Sequence, residues 1–101
     1  MTQKYSLVIS DEAYFDILDA FLWYESVRDG LGKDFELCLE AEFNVILRNP
    51  KQFQVQYKKI RIAFISHFPF GIHYLIDKGV IQVVAVFHTS RDPKRWEDRL
   101  R

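Results

Sequence analysis

The chain has 101 residues, 49% hydrophobic and 16% aromatic, which predicts one domain over 1–101 with large side chains enough for a core and rules out a disordered chain. No apolar run approaches the roughly 20 residues that span a bilayer. The opening Met1-Thr2-Gln3-Lys4 runs straight into Tyr5-Ser6-Leu7-Val8-Ile9 without the marks of a signal peptide, and the lone Cys38 has no internal disulfide partner, so a cytoplasmic location is expected. The formal charge of zero hides an asymmetry. Residues 1–50 carry four cations against ten acids, a net −6, and residues 51–101 carry ten against four, a net +6, which predicts one region suited to anions and one that repels them.

Tyr5 to Ile9 reads as a first strand, rich in β-branched and aromatic residues. Ser10 follows as a helix N-cap, with Asp11 and Glu12 in the first turn, where the helix dipole favours acids. A helix is expected from Asp11 to Arg28, its apolar stripe formed by Tyr14, Ile17, Leu18, Phe21 and Tyr24. Gly30-Leu31-Gly32 breaks it, as in the turn of a helical hairpin. A second helix runs to about Asn49, with Phe35, Leu39, Phe43, Ile46 and Leu47 on one side, and Pro50 ends it. The period then falls from 3.6 to 2. Strands are expected at Ile60–Ile65, Phe70–Ile76 and Val80–His88, the last two joined by a hairpin at Asp77-Lys78-Gly79. Asp92-Pro93 opens a short final helix through about Leu100. The sum is an α+β domain of two layers: a strand, a helical hairpin and a three-stranded antiparallel meander.

Alternation sorts the strand residues into two sets. Ile60, Ile62, Phe64, Phe70, Ile72, Tyr74, Ile76, Ile81, Val83, Ala85 and Phe87 form the set expected to face the helices. The other set holds Arg61, His67, His73 and His88, and also Ile65, Leu75, Val84 and Val86, which are too many aliphatics for a solvated surface. Three covers are open for that face: a partner protein, a second copy in a homodimer, or the chain's own C-terminal segment.

These features in this order resemble the RelE/ParE family of toxins from type II toxin–antitoxin systems, the plasmid-stabilisation type. The matching residues are Gly30-Leu31-Gly32, Asn49-Pro50, Ile60-Arg61, Phe68-Pro69-Phe70-Gly71-Ile72-His73-Tyr74, Val83-Val84-Ala85-Val86-Phe87-His88 and Arg91-Asp92-Pro93-Lys94-Arg95-Trp96. The resemblance implies a cytoplasmic growth inhibitor neutralised by a cognate antitoxin, with Ile65, Leu75, Val84 and Val86 as antitoxin-facing residues. ParE-like members inhibit DNA gyrase, whereas RelE-like members are metal-free nucleases that cut mRNA on the ribosome. In the latter, an arginine of the meander and an arginine and tyrosine near the C-terminus support cleavage. Arg61 and Arg91 match the arginines, but Trp96 stands at the aromatic position and cannot exchange a proton.

Metal-free RNA cleavage needs a base, an acid and cations around the phosphate. His88, Arg61 and Arg91 are the candidate catalytic residues for that reading. Lys58, Lys59, Arg61, His73, Arg91, Lys94, Arg95 and Trp96 are the candidate binding residues for either target. The three histidines lack metal-ligand spacing, and no P-loop, GxGxxG or GxSxG occurs, so neither a metal nor a cofactor is expected. The residues favour a binding inhibitor of the ParE-like kind. A ribosome-dependent nuclease and a non-toxic partner-binding module stand as alternatives.

Overall fold

The computed structural model describes residues 4–100. In chain order it has β1 (Ser6–Ile9), α1 (Asp11–Val27), α2 (Leu31–Arg48), a 3-10 turn at Pro50–Gln52, β2 (Val55–Tyr57), β3 (Ile60–Phe64), β4 (Phe70–Asp77), β5 (Val80–His88) and a C-terminal 3-10 segment, Pro93–Leu100. The strands form one sheet in the order β1-β5-β4-β3-β2. The expected meander is present as β3-β4-β5, β1 lies parallel to β5, and β2 pairs antiparallel with β3 at the far edge. Five strands thus replace the three of the meander plus one. The additional strand, Val55-Gln56-Tyr57, is too short to show an alternation of its own.

The helix signals act locally as expected. Ser10 Oγ accepts from Ala13 N at 3.1 Å and caps α1. Gly30 begins α2 without a side chain to cap it, and Glu25 of α1 supplies the missing acceptor. Its two carboxylate oxygens accept from Gly30 N and Gly32 N, each at 2.9 Å. That places a negative charge at the α2 N-terminus and ties the two helices together. Gly32 is required by proximity: a Cβ there would lie 2.7 Å from the carbonyl oxygen of Phe21.

The α1 stripe is rotated from the expected one. Ala13 and Ala20 are the buried residues of α1, with Ile17 and Tyr24 packed beside them, because two alanines let the helix approach the sheet closely. Tyr14 and Leu18, assigned to the core from spacing alone, face outward with Phe15 and Leu22. Beneath the hairpin, Tyr24, Phe35, Phe68 and Phe70 make an aromatic cluster with ring centroids 4.9–6.1 Å apart, and Tyr74 donates its hydroxyl hydrogen to Pro50 O.

The two faces of the sheet also differ from the expected sets. β3 pairs with β4 so that Ala63 lies opposite Ile72 and Ile62 opposite His73. Ala63 and Ile65 therefore join Ile72 and Tyr74 under the helices, and Ile60, Ile62 and Phe64 turn to the outer face. Alternation within one strand cannot set its register against the next. In β5, His73 pairs with Ala85 while Tyr74 pairs with Val83, so Val84 is an extra residue in a bulge. The bulge reverses the remainder of the strand: Val86 joins the core, and Ala85 and Phe87 face outward. Ile65 and Val86, 6% and 2% exposed, are core residues and cannot face an antitoxin. Leu75 and Val84 stay half-buried on the outer face.

Candidate functional site

The C-terminal segment occupies much of that outer face. Trp96 packs edge-to-face against His73 and at a tilt against Tyr57, with ring centroids 5.0 and 5.2 Å away. The guanidinium groups of Arg91 and Arg99 lie over the Phe87 ring, 4.1 and 4.8 Å from its centre. Arg99 reaches around the open edge of β5: it donates to both carboxylate oxygens of Asp16 at 2.8 and 3.1 Å and to Val84 O at 3.1 Å, and pairs with Glu12 at 3.4 Å. Asp16 in turn accepts from Val86 N at 3.0 Å, a donor of the strand edge beyond the reach of β1. Of the three covers left open by the sequence, the chain's own segment takes this position.

Under Trp96, Tyr57 Oη and His73 Nδ1 lie 2.8 Å apart. His73 is only 2% exposed. Burial lowers its pKa to about 4 against a smaller opposing effect of Asp16, with Arg99 and Arg91 lowering it further. Burial pushes the Tyr57 phenol up to about 12. Both groups are thus neutral near pH 7, which suits a packed pair and gives His73 no cationic role toward a phosphate.

His88 and Arg91 come together at the end of β5. With Asp16, Asp19 and Phe70 they line a pocket of about 230 Å³. His88 Nδ1 accepts from Ser90 N at 3.0 Å, and its ring meets Phe70 edge-on. Arg61 is elsewhere. It lies opposite Tyr74 of β4 while His88 lies opposite Phe70 on the other side of that strand, a separation of about 16 Å from strand rise and spacing. Its Nη1 donates to Lys51 O at 3.2 Å and to Phe53 O, so the guanidinium holds the Pro50–Gln52 turn in place. The three candidate nuclease residues form no single site. The expectation that Arg61, His67, His73 and His88 share a face is likewise corrected. Arg61 is on the helix side of β3 and His73 on the outer face of β4. His67 sits in the β3–β4 loop at φ +68°, and His88 is at the end of the sheet.

A second cluster lies where the β2–β3 and β4–β5 turns meet. Lys58, Lys59 and Arg61, expected from the sequence, are joined there by Lys51 and Lys78 around an open cavity of about 500 Å³ also lined by Tyr5 and Ile76. Among the described residues no carboxylate lines it, and Asp77 points to the other face of β4 by alternation. Lys58 and Lys78 both have left-handed backbone, φ +48° and +51°, where an L side chain costs roughly 1–2 kcal/mol. Lys51 and Lys78 were legible only as charges, since nothing in the sequence brings two turns to one end of a sheet. Lys94 and Arg95 are exposed on the C-terminal segment, away from this cluster.

The order of elements, the hairpin tied by Glu25 and the mixed sheet can now be set beside known proteins. Residues 7–93 match the family model described as the ParE toxin of the type II toxin–antitoxin system, parDE. The chain belongs to the ParE toxin family. A solved structure titled as the chromosomal ParDE toxin–antitoxin system from P. aeruginosa has the same fold, with a TM-score of 0.77 and 12% sequence identity, over 87% of this chain and 99% of the other. No curated protein matches the sequence. The chain is therefore a ParE-family toxin, and among its described residues no helix is long and apolar enough to cross a membrane.

Proposed function

We propose that this ParE-family toxin arrests growth by binding its target, DNA gyrase, rather than by cutting RNA, and that a cognate antitoxin neutralises it in the cytoplasm. The observation that carries this reading is the dispersal of the nuclease candidates. Arg61 is engaged with main-chain carbonyls at one end of the sheet. His88 is at the other, and Trp96 stands where proton transfer would need a tyrosine. General acid–base cleavage requires those groups within hydrogen-bond reach of one phosphate. Antitoxin recognition falls to a surface other than the one expected from the sequence: Tyr14, Phe15, Leu18 and Leu22 of α1 are 37–59% exposed along one side of the helix, an apolar stripe of the kind that receives a partner segment.

Purified toxin titrated into a gyrase supercoiling reaction tests the proposal. Inhibition should reach completion near equimolar toxin, and a preformed toxin–antitoxin complex should be inert. Full supercoiling at a large molar excess of toxin would refute gyrase as the target.

A further inference from the structure

We infer that the cationic end of the sheet is a binding site for the phosphodiester backbone of nucleic acid, a contact separate from whichever protein the toxin inhibits. Two unrelated hairpin turns each place a lysine, Lys58 and Lys78, at a left-handed position that glycine or asparagine fills without strain. Both side chains, with Lys51 and Lys59, surround the same open cavity, and among the described residues no carboxylate lines it. Backbone strain accepted twice around one cavity marks a place where the side chain matters more than the turn.

The residue types suit a polyanionic ligand. Arg61, the one guanidinium among the described lining residues, is bonded to Lys51 O and Phe53 O, which leaves the four ammonium groups of that lining as the cations available to a ligand. Ammonium groups are point charges that neutralise phosphate oxygens without a fixed approach geometry, and four of them around one opening suit a run of phosphates. Among the described residues no Asn or Gln side chain lines the cavity to read adenine edges, and ammonium groups spread over two turns follow phosphate charge, so the contact inferred is one to the backbone. The layout of charge points the same way, because the helical hairpin is acidic and repels a polyanion.

The test is fluorescence anisotropy with a labelled duplex DNA and a labelled single-stranded RNA of random sequence, across a KCl series. For four phosphates neutralised, log K should fall against log salt with a slope of about −3 to −4. The two probes tell which polymer supplies the phosphates; binding of either supports the site. Lys58→Gly with Lys78→Asn removes two charges and also relieves both turns. The double variant should bind at least tenfold more weakly and lower the slope by about 2, while its Tm holds or rises. Lys33→Gln, a charge loss on α2, should leave binding unchanged. The inference is overturned if neither probe binds, if the double variant binds like wild type, if Lys33→Gln weakens binding equally, or if poly-glutamate displaces the probe at equal charge concentration, which would assign the site to an acidic protein. None of these results depends on inhibition of gyrase, so the two readings fail independently.

Discussion

Replacing Asp16 with alanine is expected to destabilise the fold by about 3 kcal/mol and to release the C-terminal segment from the sheet. Asp16 and Arg99 are only 16% and 14% exposed in their side chains, so loss of the carboxylate leaves a largely buried guanidinium with only the exposed Glu12 carboxylate and Val84 O as partners. It also orphans Val86 N at the edge of β5, and an unsatisfied buried donor carries its own cost. Asp16→Asn, which still accepts from Val86 N, should lose less. Urea denaturation measures the stability change. Release of the segment is read from tryptophan emission in a Trp23→Phe background, where Trp96 alone reports. Emission should shift to the red in Asp16→Ala, and an unshifted spectrum with an unchanged urea midpoint would show that the clamp contributes nothing.

Acid should remove stability through His73. Its pKa is about 4 in the folded protein and about 6.5 in the unfolded chain. Between those values the unfolded state binds the proton and the folded state does not, so stability is full above pH 6.5 and falls as the pH drops toward 4. The complete window is worth about 3 kcal/mol. Comparing urea midpoints at pH 7 and pH 4.5 for wild type and His73→Gln isolates this contribution from the carboxylates common to both. The variant, which has no proton to gain there, should lose less stability over the same interval. Parallel losses would place the acid sensitivity elsewhere.

The same residues mark what a sequence discloses and what it withholds. Ser10 acts through its own side chain, and Gly30, Pro50 and Lys78-Gly79 through their own backbone, so both α-helices and the three long strands were legible within a residue or two. Register was not. Whether Ile62 or Ala63 faces the helices depends on how β3 slides against β4, and a single extra residue at Val84 exchanges Val86 for Phe87 in the core. The antitoxin-facing set of Ile65, Leu75, Val84 and Val86 failed at Ile65 and Val86 for these two reasons. The α1 stripe failed because Ala13 and Ala20, weak signals of hydrophobicity, are the residues that allow close packing. The Asp16–Arg99 pair, 83 positions apart, carries no local signature. The Trp96 substitution was visible from the start, and the fold adds what it could not show, that the ring is packed on Tyr57 and His73.

Much of the outer face of the sheet is thus covered by an arginine clamp and an indole, and the acidic hairpin stands apart from a lysine-lined cavity. Among the described residues Arg61 and His88 stand at opposite ends of β4, and the action proposed for this toxin is binding rather than proton transfer. Induced expression of wild-type toxin and of His88→Ala in growing cells, with mapping of mRNA ends, tests that claim most directly. Both proteins should arrest growth, and messages should remain intact in both cultures. Fresh cleavage at ribosomal positions in the wild-type culture, abolished together with growth arrest by His88→Ala, would contradict it.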